Sequence, residues 1–193
     1  MQIYIILNFI VYSFGPILSA PPQGFPYYGR FVGIMKGKSL DRIDLRILHH
    51  LQANARVTNT ELAKIVGLSA TPCSERVKTL ENQGYITGYH AKLNPHLTQL
   101  GLLVFVEISL VRTSPDIFAE FAAAVLQLPK ILECHLVSGN FDYLIKARVA
   151  DMSAYRLLLG ETLLTLPGVR ESKTYVVMEE VKEDHTLALK LKS

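Results

Sequence analysis

Thr58-Asn59-Thr60-Glu61-Leu62-Ala63-Lys64-Ile65-Val66-Gly67-Leu68-Ser69-Ala70-Thr71-Pro72-Cys73-Ser74-Glu75-Arg76-Val77-Lys78-Thr79-Leu80-Glu81 reads as a helix, a tight turn and a second helix. Thr58 with Glu61 forms a capping box, in which each side chain bonds the other residue's orphan N–H. Leu62, Ile65 and Val66 recur at helical spacing. Gly67 supplies the left-handed residue that ends the first helix. Ser69 is placed to cap the second, and Pro72 falls in its first turn, where a missing N–H does no harm. Cys73, Val77 and Leu80 then stack on one side, while Thr71, Glu75 and Lys78 point away, with Ser74 beside them. A short helix with a small-residue start and a polar, partly basic outer face is what reading a DNA major groove requires.

Upstream, residues 40–53 read as another helix, with Asp41 as N-cap, Asp44 three residues on, and Ile43, Ile47, Leu48 and Leu51 as its apolar stripe. Gly84 closes the third helix, and residues 85–93 read as a strand or wing. Residues 37–93 are therefore expected to form a winged helix-turn-helix, with 94–101 as a linker. From Leu102 the apolar period becomes two: Leu102, Val104, Val106, Ile108 and Leu110 line one face of a strand. Ser114-Pro115 starts a helix whose stripe is Ile117, Phe118, Phe121, Val125 and Leu128. Residues 131–138 and 141–149 read as strands joined by a two-residue hairpin turn at Gly139-Asn140. Asp151 or Ser153 caps the next helix, with Tyr155, Leu159, Leu163 and Leu166 buried, and residues 171–181 form the last strand. The order is βαββαβ, a ferredoxin-like unit over 102–184, followed by a tail at 185–193. The fold class is α+β.

In such a unit both helices cover one sheet face. The other carries Phe105, Val111, Val137, Tyr175 and Val177 among Glu107 and Ser109. That apolar patch predicts a dimer, sheet against sheet, unless the first 34 residues cover it.

The 193-residue chain is nearly half apolar and carries a net charge of +3. A core can form, and the mild basicity permits a nucleic-acid partner without demanding one. Cys73 and Cys134 sit in apolar contexts and read as free thiols of a reducing compartment. The six histidines show no metal-ligand spacing. No nucleophile–base pair or phosphate loop is present, so neither an enzyme nor a resident cofactor is expected. The leader, 1–36, stands apart: up to Ile34 it holds one charged side chain, Arg30. Its apolar run is too short to span a membrane. A mis-assigned start with Met35 as the true one, a disordered arm and an export signal are the open readings.

The residues Leu68-Ser69-Ala70-Thr71-Pro72-Cys73, Ser138-Gly139-Asn140-Phe141-Asp142-Tyr143-Leu144, Glu133-Cys134-His135-Leu136-Val137 and Leu166-Pro167-Gly168-Val169 together resemble the Lrp/AsnC regulators, and the likeness runs from about residue 40 to 182. Ala70, Ser74 and Asn140 depart from the residues common in that family. The resemblance implies a cytoplasmic, nucleoid-associated transcription regulator on double-stranded DNA. It implies dimers through the second domain that build octamers or larger, and an amino-acid effector, leucine or a related aliphatic one, bound in clefts between subunits. It places the loop around Gly139 at that cleft. The alternative is an architectural DNA protein that ignores amino acids.

On this reading Lys64, Ser69, Arg76 and Lys78 meet phosphates, with Pro72 in the same turn, and Thr71, Ser74 and Lys78 meet base edges. Arg76 has the alternative of an ion pair within its own domain. Glu75 has two readings: accepting a hydrogen bond from cytosine, or pairing with Lys78 on the surface. For a zwitterionic amino acid, Gly139 and Asn140 offer backbone N–H groups to a carboxylate, and Asp142 offers an anion to the ammonium. Leu136 and Val137, with Ser138 and Tyr143 nearby, would floor an apolar pocket.

Overall fold

The computed structural model describes residues 39–190. The leader and the last three residues of the tail lie outside them. The described chain packs as two units: residues 92–182, and residues 39–91 together with 183–190. Residues 94–101, expected as a free linker, therefore belong to the first of these. They form a hydrogen-bonded turn in which Asn94 Oδ1 accepts from His96 N at 2.9 Å and Leu100 N donates to Pro95 O at 2.7 Å.

The head contains α1 (Arg42–Ala53), α2 (Asn59–Val66) and α3 (Ala70–Asn82). Asp41 and Asp44 cap α1 reciprocally, and Thr58 and Glu61 do the same for α2. Gly67 ends α2 at φ 79°, the left-handed region. The Arg46 guanidinium donates to the Ile65 and Val66 carbonyls, two acceptors that α2 cannot satisfy internally. The core gathers Ile47, Leu62, Val66, Cys73, Val77 and Leu80, with Ile86 and Leu189 packed against it. Leu189 comes from the opposite end of the chain. The Gln52 side-chain amide holds that tail by accepting from Leu187 N at 2.8 Å and donating to Leu187 O at 3.2 Å.

Two expectations for the head need correction. Residues 85–93 form no strand. Among the described residues no strand pairs with this run, so no ladder forms there. Instead, Ile86 plugs the core and the Tyr89 hydroxyl donates to Glu81 at 2.9 Å. Ser69 stands at the N-cap position of α3, but its hydroxyl makes no capping bond.

The second unit follows the expected order: β1 (Leu102–Leu110), α4 (Pro115–Val125), β2 (Ile131–Leu136), β3 (Tyr143–Val149), α5 (Met152–Glu161) and β4 (Val169–Val176). The strands form one antiparallel sheet in the order β2-β3-β1-β4. Alternation puts Val104, Val106, Ile108, Ile145 and Ala147 on the face covered by Ile117, Phe121, Val125, Tyr155 and Leu158. Leu158 is buried, and the expected Leu159 packs half-buried against the same core. The helix stops at Glu161, and a 3-10 turn at Leu163–Thr165 brings Leu163 back into the core. Gly168 precedes the last strand at φ 71°, where an added Cβ would collide with the Ile117 side chain.

The opposite sheet face is less apolar than its sequence suggested. Lys146 Nζ lies 3.0 Å from Glu133, the Tyr175 hydroxyl donates to Glu107 at 2.9 Å, and Lys173 stands over the Tyr175 ring. Arg148, only 8% exposed, makes two bonds to Glu180 at 3.0 and 2.5 Å. Phe105 and Leu144 lie half-buried among these pairs. Val111 lies beyond the strand and is 60% exposed.

Candidate functional site

In α3 the helical period divides structure from surface. Cys73, Val77 and Leu80 are buried, whereas Thr71, Pro72, Glu75 and Lys78 are exposed and Ser74 is half-buried. Burial raises the Cys73 thiol above its ordinary value, so it stays a neutral core residue. Lys64, in the last turn of α2, is exposed too. Because the Ser69 hydroxyl leaves the first N–H groups of α3 without a side-chain acceptor, these donors can serve an outside anion.

Arg76 belongs to a different set. Its Nη1 lies 2.6 Å from Asp41 Oδ2 and 2.7 Å from Asp44 Oδ1. The two carboxylates that cap α1 gather at its N-terminus, and Arg76 projects from α3 straight at them. Of the two readings of Arg76, the structure forms the ion pair within the domain, a bolt between α3 and the start of α1. The bonds from Asp41 and Asp44 push the guanidinium pKa further up. The Asp41 carboxyl is held below its ordinary value first by the Asp44 N–H and then by Arg76, against the opposing effect of burial. Spacing alone offered no sign of this pairing, nor of Arg46 or Gln52 as residues that hold the head together, because each bond joins elements distant in sequence.

The β2–β3 connection is not the two-residue hairpin expected at Gly139-Asn140. Pairing ends at Leu136–Tyr143, and Val137 N donates to Asp142 O at 3.0 Å, closing a wider loop. Neither Gly139 nor Asn140 has the positive φ that the tight turn demands. Ser138, Gly139 and Asn140 are exposed, Val137 and Asp142 are half-buried, and Leu136 is 49% exposed. Asp142 Oδ2 accepts from Leu110 N at 2.7 Å, where β1 shifts register, so the carboxylate is oriented by the sheet. Tyr143, expected near the effector pocket, lies in the core with its ring stacked on Phe121 at 4.4 Å between centroids. Alternation carried it there, since Tyr143, Ile145 and Ala147 share one face. Cys134 is a free thiol pushed up to about 11 by burial. Among the described residues, no His, Cys, Asp or Glu group could hold a metal ion. No helix among them is long and apolar enough to cross a membrane.

Residues 40–87 match the winged helix-turn-helix DNA-binding domain, and residues 103–187 match the Lrp/AsnC ligand binding domain. Over 154 residues the chain is 64% identical to the leucine-responsive regulatory protein of Salmonella typhimurium, covering 80% of this chain and 94% of the relative. The Escherichia coli protein of the same name is 63% identical over the same length and coverage. A transcriptional regulator from Neisseria meningitidis, crystallised as an L-Met complex, superposes with a TM-score of 0.72 at 39% identity, covering 77% of this chain and 96% of that one. The exposed face of α3 and the sheet domain, with these relatives, thus define a ligand-responsive, DNA-binding transcription regulator, not an enzyme. The chain belongs to the Lrp/AsnC family.

Proposed function

We propose that this regulator binds double-stranded DNA through α3 and changes assembly and DNA affinity when an aliphatic amino acid, such as leucine or methionine, occupies the sheet domain. The observation that carries the DNA half is the division of α3, with a sealed apolar side and an outer side that no other element among the described residues covers. Thr71, Ser74 and Lys78 reach base edges, while Lys64, Ser69, Lys78 and the first N–H groups of α3 meet phosphates. One helix reads few base pairs, so useful selectivity needs two half-sites about one helical turn apart, or a multiple of it. A homodimer supplies them, and octamers or larger assemblies supply more.

The dimer forms through the outer sheet face around Phe105 and Leu144, with the ion pairs of that face already satisfied within each chain. The effector lies at the loop of Val137, Ser138, Gly139, Asn140 and Asp142. Exposed backbone N–H groups take its carboxylate, Asp142 Oδ1 takes its ammonium, and Leu136 contributes apolar surface. The Neisseria relative, captured with L-Met, supports an amino acid as ligand. Such a protein works in the cytoplasm, on the nucleoid. The test is a panel of amino acids in thermal-shift and sizing experiments. A raised melting temperature together with a changed assembly state for one or more aliphatic members is expected. No response to any member would leave an effector-independent architectural protein.

A further inference from the structure

We infer that Glu75 sets the base selectivity of α3 by accepting a hydrogen bond from cytosine at one base pair of each half-site. This rests on the DNA-binding reading of α3 and deepens it.

The helix carries four charged side chains: Glu75, Arg76, Lys78 and Glu81. Two are spent inside the head, Arg76 on Asp41 and Asp44, and Glu81 on the Tyr89 hydroxyl. The two unspent ones, Glu75 and Lys78, both sit on the exposed outer face. They are three positions apart, a spacing that lets a Glu and a Lys meet. They nevertheless form no ion pair, and among the described residues neither side chain has a hydrogen-bond partner. The Thr79 hydroxyl donates to the Glu75 backbone carbonyl at 2.8 Å, leaving the carboxylate free.

An unpaired carboxylate on a DNA-facing surface is repelled by phosphates unless it meets a donor. It can only accept hydrogen bonds. The major groove offers two donors, cytosine N4 and adenine N6. Beside adenine N6 stands N7, an acceptor whose lone pair repels the second carboxylate oxygen. Beside cytosine N4 stands only a C–H. Cytosine is therefore the favoured partner. Thr71 and Ser74, by contrast, carry hydroxyls that donate or accept and so tolerate any base. Glu75 is the acceptor-only side chain of the reading face.

The experiment is site selection from randomised duplexes with the full chain, followed by affinities for the selected site with each base in turn at every position. Wild type, E75A, E75Q and K78A are compared. Wild type is expected to prefer cytosine at one position of each half-site by about tenfold, the scale of a single mismatched base pair. E75A should flatten that position alone, and E75Q should move its preference to adenine, which a glutamine amide bonds through N6 and N7. K78A should weaken binding to every duplex through the lost phosphate contact while leaving the cytosine preference at the Glu75 position intact. If E75A keeps the wild-type base profile and merely binds every duplex more tightly, the carboxylate is a repulsive surface charge and the inference falls while DNA binding stands. If wild type selects no site at all, the DNA-binding reading of α3 falls with it.

Discussion

In the head, α1 and α2 each open with a reciprocal cap, Asp41 with Asp44 and Thr58 with Glu61. In the sheet domain α5 has a one-way cap, Asp151 accepting from Ala154 N at 2.8 Å, and α4 has none. The Ser114 hydroxyl before α4 is buried without a partner. What holds α4 is Ile117, Phe121 and Val125 against the strands, and a proline that presets its first turn. Two of the three head helices, α1 and α2, are thus specified through local polar contacts, whereas α3 has no side-chain cap. The sheet domain is specified through burial and strand pairing between residues far apart in sequence.

Phe121→Ala tests that contrast hardest. Phe121 is fully buried, and its loss should cost the sheet domain about 3–5 kcal/mol, read as a lowered urea midpoint. A loss under about 1 kcal/mol would mean that burial is not what secures α4.

Two of the three left-handed glycines among the described residues come next. Gly67 and Gly168 share nearly the same φ, 79° and 71°, but a Cβ on Gly67 meets nothing within 4 Å, whereas one on Gly168 strikes Ile117. Gly67→Ala should cost about 1–2 kcal/mol from backbone strain alone. Gly168→Ala should cost about 1–3 kcal/mol more, because the core must also give way. Equal melting temperatures for the two variants would show that Ile117 moves aside freely.

Thr58→Ala removes a cap and should cost about 1 kcal/mol, seen as a small drop in thermal stability. Acid probes the same caps. Asp41 and Glu61 are held below their ordinary values of 3.8 and 4.5, chiefly by backbone N–H groups of Asp44 and Thr58. A depressed carboxylate contributes fully above its ordinary value and loses that contribution as pH falls through the lowered one. The helical signal of the wild-type head should therefore weaken as pH drops below about 4, and a Thr58→Ala, Asp41→Ala double variant should show a shallower acid dependence.

The subtlest effect separates two cations of one helix. Lys78→Ala should reduce the salt slope of DNA binding by about one. Arg76→Ala should leave that slope unchanged while costing at most about 1 kcal/mol of stability, since the pair is partly solvent-screened. A fall in slope for Arg76→Ala would return it to the DNA contacts.

The same contrast explains how much of the molecule was legible beforehand. Capping boxes, the Gly67 turn, the buried line of α3 and the alternation of β1 are written within a few neighbouring residues, and all appear where the spacing put them. Arg76's carboxylate partners, the Arg148–Glu180 pair and the hold of Gln52 on Leu187 depend on which distant elements meet, which no local period encodes. Gly139-Asn140 misled for a related reason: the pair suits a tight turn, but strand pairing stops at Leu136–Tyr143 and leaves a loop long enough to need no left-handed residue. Tyr143 was placed near the effector pocket with its sequence neighbours, while the two-residue period of β3 carries its ring into the core.

The clasp between Gln52 and Leu187 makes the DNA-binding head discontinuous along the chain. A fragment excised at residue 91 loses Leu189 and with it part of its own hydrophobic lining, so a faithful minimal head has to be spliced from both ends. A fluorescent reporter attached at Ala188, between the clasped Leu187 and the packed Leu189, would be moored to the helix-turn-helix, and its tumbling would report on the reading head.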